Sequence, residues 1–209
     1  MVDRLRAADV DVRVIEDMPS PVTPDAVFPN NWFSTCSDGS LHIYPMHTPN
    51  RRQERRVEEL ARLLLQHDYQ INQISWVGHP WEEELILEGT GVMIFDHARR
   101  RVYAARSQRC HPLALYRYAR LRGLDDVQLF DTADSHGVPI YHSNVMMAIG
   151  PDFAVVCLPA IADVGERQRV RSRLRRDGKT VISISQAQMA SFCGNIIALR
   201  GGDGGTVIA

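Results

Sequence analysis

Four times along the 209-residue chain, a short cluster of polar or small residues opens into an apolar run. This recurrence is the strongest constraint the sequence places on its fold. The stretches are FPNNWFS (Phe28 to Ser34), LEGTGVMIF (Leu87 to Phe95), IYHSNVMMAIG (Ile140 to Gly150) and FCGNIIAL (Phe192 to Leu199). Aligned on the apolar run, they pair Asn31, Thr90, Asn144 and Asn195 at steps of 59, 54 and 51 residues. Two positions earlier stand Pro29, Glu88, His142 and Cys193. A period of about 55 residues is longer than the usual solenoid repeats and predicts supersecondary units set about an axis, their polar positions converging on one site. Side chains on a strand alternate between its faces, so a strand over Ile140 to Gly150 would turn His142 and Asn144 the same way.

Between the clusters the pattern reads strand, strand, helix, strand. In the first unit Asp38-Gly39 lies between WFSTCS and SLHIYPM, and both residues tolerate the positive φ of a tight hairpin. Val57, Leu60, Ala61, Leu64 and Leu65 then recur at helical spacing, which predicts a helix from about Arg51 or Gln53 to His67 and a strand over 70–77. The second unit predicts strands at 85–88, 92–96 and 102–105, a helix near 112–122 and a strand at 127–130. The third predicts strands at 138–149 and 153–158, a helix at 164–177 and a strand at 180–185. A fourth begins with strands at 186–192 and 195–199, turns at RGGDGG and continues as a strand at 206–209. The N-terminal residues read as a helix tail entering a strand at Val10 to Ile15, so the first and last units are expected to be incomplete.

A net charge of -1 and a pI near 6.7 give no electrostatic footprint for nucleic acid or an anionic membrane. No apolar run reaches the length of a membrane span and the N-terminus lacks a signal-peptide core, so a single cytoplasmic domain over residues 1–209 is expected. Cys36, Cys110, Cys157 and Cys193 form no CxxC pair, which argues against a zinc site and a disulfide framework. Each is expected to be a small packed hydrophobe, and no metal or cofactor is expected.

A carboxylate and an imidazole facing one pocket suit general acid/base chemistry near neutral pH, which singles out Glu88 and His142. Arg51 and Arg52 open the helix after YPMHTPN, where positive charge opposes the helix dipole. A bidentate contact to a substrate carboxylate would account for that placement, and a solvated basic helix start is the alternative.

Taken together, FPNNW, YPMxxPNRRxER, LEGTG, IYHSNVMM and FxGN resemble the guanidine-modifying, or pentein, superfamily over nearly the whole chain. That superfamily includes arginine deiminases, dimethylarginine dimethylaminohydrolases, succinylarginine dihydrolases and amidinotransferases, and the motifs look most like its citrulline hydrolase and amidinotransferase-like branch. The resemblance implies an α/β propeller of ββαβ units in pseudo-fivefold arrangement, cofactor-free, around a small-molecule site for citrulline, arginine or a related amino acid. It gives Glu88 the role of holding the substrate's terminal nitrogens and His142 that of general acid/base. It makes Arg51 the clamp for the α-carboxylate. Asn31 and Asn144 stand where arginine deiminases use aspartate. An amide can donate to the carbonyl of a neutral ureido group, whereas a guanidinium is better held by carboxylates, so the departure favours a ureido substrate.

Members of the superfamily attack the substrate carbon with a cysteine from a C-terminal glycine-rich segment. Nothing here matches that segment, RGGDGG has no cysteine after it, and Cys193 falls where relatives carry a small residue. The expected activity is therefore hydrolysis of linear amidine or ureido C–N bonds, with the nucleophile segment missing from this chain. Amidine transfer and a non-catalytic binding module are the alternatives. A propeller lacking part of its ring also exposes strand edges, which predicts self-association.

Overall fold

A computed structural model describes residues 1–78, 84–201 and 204–209. Helix α1 (Val2–Ala7) opens the chain. The strand expected at Val10 to Ile15 is absent, because this extended segment has no strand beside it to pair with. Ile15 packs instead against the cluster formed by Trp32, Leu41, Ile43, Met46 and Leu60.

The first unit holds β1 (Phe33–Thr35), β2 (Ser40–Ile43), the short helix α2 (Pro49–Arg52), α3 (Val57–Gln66) and β3 (Gln73–Trp76). The second holds α4 (Gly89–Val92), β4 (Ile94–Asp96), β5 (Arg101–Ala105), α5 (Pro112–Leu121) and β6 (Asp126–Phe130). The third holds β7 (Met147–Ile149), β8 (Phe153–Val156), α6 (Val164–Arg176) and β9 (Thr180–Ser183). Helix α7 (Gln186–Ala190) and the hairpin of β10 (Ala198–Arg200) and β11 (Thr206–Ile208) follow. In all three complete units the second strand is central, antiparallel to the first and parallel to the third. An antiparallel pair closes through a tight turn, whereas the parallel pair needs the helical crossover, which fixes the order ββαβ. Gly39, at φ +80°, closes the first hairpin as the Asp-Gly signal predicts.

Besides the cluster within the first unit, two apolar cores run across neighbouring units. Tyr44 and Val77 of the first unit pack with Leu115 and Tyr118 of α5, and Tyr103 and Phe130 of the second pack with Val170 and Leu174 of α6. Each fully buried aliphatic or aromatic side chain contributes roughly 1.5–3 kcal/mol, so these shared cores hold consecutive units together.

Several expected boundaries move. Residues 53–56 break the predicted helix into α2 and α3. The stretch 85–88 forms only an isolated bridge between Leu87 and Cys110. Residues 186–190 are helical rather than extended, because Ser185 and Gln188 make a reciprocal capping box. Gly202 and Asp203 of the RGGDGG turn lie outside the described residues.

Candidate active site

The polar clusters do not enter their strands directly. Three of the four coil first into a single helical turn, Pro29–Asn31 before β1, α4 before β4, and Ser143–Val145 before β7. His142 and Asn144 therefore do not share a strand face, and β7 begins only at Met147. Glu88 and His142 occupy the same place, the N-cap of their turns, as the repeat alignment predicts. In the first turn that place belongs to Phe28, one residue before the expected Pro29.

Helix α4 packs between the other two turns, and its glycines allow the approach. A Cβ on Gly89 would overlap the carbonyl oxygen of Asn30, and one on Gly91 would overlap Asn31 Nδ2 and lie 3.4 Å from His142 Cδ2. Only glycine fits where backbones meet this closely.

At this junction Glu88 is wholly buried. Its Oε2 lies 2.6 Å from His142 Nε2, and its Oε1 accepts hydrogen bonds of 2.8 Å from the His47 backbone N–H and from Arg109 Nη1. Burial pushes the carboxyl upward, but the bonds from His142, the His47 backbone and Arg109 outweigh it and hold the pKa down to about 2. Glu88 is thus a carboxylate, which only accepts, so the proton of the shared bond sits on His142 Nε2 and Nδ1 is the basic nitrogen. Ser143 Oγ accepts the Ala105 backbone N–H at 2.8 Å and ties the His142 turn to β5.

Arg51 is buried beside this pair rather than exposed to it. Its Nε and Nη2 hold both oxygens of buried Glu54 at 3.0 and 2.9 Å, and Nη2 also donates to the carbonyls of Phe28 and Asp25. Its Nη1 donates to Asn31 Oδ1 at 2.8 Å. That bond orients the amide, leaving Asn31 Nδ2 buried, without a hydrogen-bond partner and next to the His142 ring. Asn144 is half-buried on the His142 turn, and among the described residues it belongs to neither of the hydrogen-bonded pairs, Glu88–His142 and Arg51–Asn31, that the other four form.

Arg109 joins this cluster without any motif having pointed to it. It follows β5 in a loop, and its guanidinium lies over the ring of Tyr141 at 6.0 Å as well as on Glu88. Nothing local separates it from the other 23 lysines and arginines of the chain; only the fold brings it to Glu88.

The cysteines divide unequally. Cys110 and Cys157 are buried as expected, and burial pushes the Cys110 thiol up to about 12 and raises that of Cys157. Cys193 is exposed in the turn after α7, contrary to the expected packed thiol. Among the described residues no cysteine sulfur hydrogen bonds to Glu88 or His142, no group of side chains is arranged to hold a metal ion, and no helix is long and apolar enough to cross a membrane.

Repeated ββαβ units whose capping turns bring a carboxylate and an imidazole together define the guanidine-modifying, pentein class of proteins. Within that class the chain belongs to the family described as N,N dimethylarginine dimethylhydrolase, eukaryotic, whose model matches residues 1–209. No curated protein matches it in sequence comparison.

Among solved structures it is similar to the N-terminal domain of ArgZ, an arginine dihydrolase of cyanobacteria. That match has 15% identity and a TM-score of 0.70, covering 94% of this chain and 66% of that one. It is also similar to AgrE, solved with ornithine and NAD+, at 17% identity and TM-score 0.69, covering 94% of this chain and 26% of that one. DDAH from Pseudomonas aeruginosa, solved with citrulline as a C249S mutant, is similar at 15% identity and TM-score 0.50, covering 91% and 80%. At these identities the likeness shows the fold. Against a further structure, that of apo ArgZ, the chain spans only 26% of the relative's length.

Proposed function

We propose that this chain forms the substrate-holding part of a hydrolase that cleaves linear amidine or ureido C–N bonds. Its units would be blades of a pseudo-fivefold propeller. The observation that carries the reading is the enclosed Glu88–His142 pair, 2.6 Å apart and braced by Arg109. Of the roughly four acceptor positions on a carboxylate, Glu88 uses three, so one is left for a substrate N–H. Asn31 Nδ2 is a buried donor in need of an acceptor, and the carbonyl oxygen of a ureido group supplies it. Arginine would instead place an N–H against that N–H, so citrulline is the preferred substrate. Once a thiol is supplied, His142 Nδ1 would take its proton as sulfur attacks, pass that proton to the departing nitrogen and then draw one from the resolving water. Asn144 lies on the same turn and completes the polar wall.

The α-carboxylate clamp falls to Arg109, whose side chain is one-fifth exposed. Arg51 contributes through Asn31, since a substrate carboxylate would reach it only by displacing Glu54. That the family and the neighbours handle dimethylarginine, arginine or citrulline by name supports this substrate class.

The covalent step needs a thiolate, and among the described residues no sulfur hydrogen bonds to the pair. The 209-residue chain therefore binds without turnover, and hydrolysis requires a cysteine from another segment. Titration calorimetry with citrulline and arginine, alongside an ammonia assay, tests this. Citrulline binding with no ammonia release is expected, and the absence of binding overturns the proposal. Once a thiol is supplied, products formed with and without an acceptor amine separate hydrolysis from amidine transfer.

A further inference from the structure

Glu88 and His142 stand at the entry ends of β4 and β7. At the exit ends of the same strands is a cavity of about 500 Å³. Its walls include Phe95, Ile149, Leu199 and Thr206, with two charged groups, Asp96 and Lys179. Asp96, the last residue of β4, is 2% exposed, and Lys179 is buried beside it. The Lys179 ammonium donates to the carbonyl oxygens of Gly150 at 3.0 Å and Pro151 at 2.8 Å, and stands 3.4 Å from Asp96 Oδ2. Two of its three N–H are directed at the carbonyls, and Asp96 Oδ2 is paired with its charge but meets no hydrogen bond.

We infer that this cavity binds a small organic cation, an ammonium or guanidinium nitrogen on an aliphatic stem, whose N–H is accepted by Asp96 Oδ2. Three features set that chemistry. A buried carboxylate oxygen without a donor is an unmet requirement, and a charged N–H donor answers it with a stronger bond than a neutral one. The Lys179 ammonium has already turned two of its three N–H to carbonyl dipoles, so Asp96 Oδ2 is offered at most one long, poorly aligned donor. Of the remaining walls, Phe95, Ile149 and Leu199 offer apolar contact to a stem, beside the His97 ring and the Thr206 hydroxyl. The site is separate from the catalytic pair, which lies beyond the length of both strands, and nothing in the proposed hydrolysis uses it.

The test is a titration of the full chain with butylguanidinium and with butylammonium, read by NMR at the methyl groups of Ile149 and Leu199, with 1-butanol as the neutral control. Saturable shifts at both residues with either cation are expected, with butanol at least about tenfold weaker. Asp96→Asn should weaken the cations by about tenfold or more. Ala98→Trp, at the exposed rim of the cavity, should block them while leaving the fold intact, and it stands alone as a test if the Asp96 variant does not fold. No shift with either cation, equal affinity for butanol, or unchanged binding in the Ala98 variant would each overturn the inference.

Discussion

Glu88 and His142 cap consecutive helical turns from different repeats, and their side chains meet at 2.6 Å with the carboxylate fully enclosed. An enclosed carboxylate bonded to three donors is a structural keystone as well as a chemical group. Glu88→Gln keeps the shape but removes the charge and turns an amide N–H against His142 or Arg109. Breaking a buried ion pair typically costs about 3–5 kcal/mol, and the conservative amide should fall near the lower figure in urea denaturation. Citrulline affinity should drop by about ten- to a hundredfold, since a charge-assisted bond is lost. A variant as stable and as tight-binding as the parent would show that the pair is ornamental.

The same contacts set the acid limit. Glu88 has a folded-state pKa near 2, below the ordinary 4.5, so the unfolded chain takes up its proton at higher pH than the folded one. The stability it contributes is therefore complete above about pH 4.5 and disappears as pH falls toward 2. Melting temperatures across this window should fall steeply for the parent and less steeply for Glu88→Gln. Parallel curves would assign the acid limb to other carboxylates.

The sequence made the repeats legible because each apolar run must bury one face, and that periodicity survives without any contact being known. It also paired Glu88 with His142, since equivalent caps recur at equivalent places. It did not disclose that the clusters coil into turns before their strands, as with Ser143–Val145, because a three-residue turn leaves no periodic signal. Helix α7 was hidden for a different reason: the apolar run across 186–192 suggested a strand, while the deciding capping box involved only Ser185 and Gln188. Arg109 and the Glu54 partner of Arg51 come from contacts that fold or local turn geometry creates, and one charged residue in a basic run resembles its neighbours.

That Arg51–Glu54 pair is itself a prediction. Both side chains are more than nine-tenths buried, and among the described residues Glu54 alone balances the guanidinium charge by a salt bridge. Glu54→Ala leaves a buried cation unpaired and should destabilise the chain by about 3–5 kcal/mol in chemical denaturation. It should also free Arg51 to move from Asn31, so citrulline affinity should decline in a variant still folded at low temperature. Unchanged affinity there would separate Arg51 from the site.

Substrate charge offers a further check. Asn31→Asp exchanges the unpartnered amide donor for an acceptor facing the pocket, and Asn144→Asp adds a second negative charge on the His142 turn. Together they should shift the citrulline-to-arginine affinity ratio toward arginine by about tenfold or more, measured by calorimetry. A ratio that does not move would remove the argument that these amides read a neutral ureido group.

The junction of turns gives the sharpest prediction, because it concerns one methyl group. A Cβ on Gly91 would overlap Asn31 Nδ2 and stand 3.4 Å from the His142 ring, whereas its backbone φ is one any residue can adopt. Gly91→Ala should therefore act through crowding alone, costing about 1–3 kcal/mol of stability and displacing the Asn31 amide, so that citrulline binding is lost. The control is built into the geometry. In an Asn31→Ala background the amide that the methyl would strike is gone, and adding Gly91→Ala should cost much less than it does in the parent. Denaturation of the parent, the two single variants and the double variant forms a cycle, with a coupling of about 1 kcal/mol or more expected for residues in direct contact. Additive costs would mean that the methyl is accommodated elsewhere, and that Asn31 is not held against Gly91 and His142.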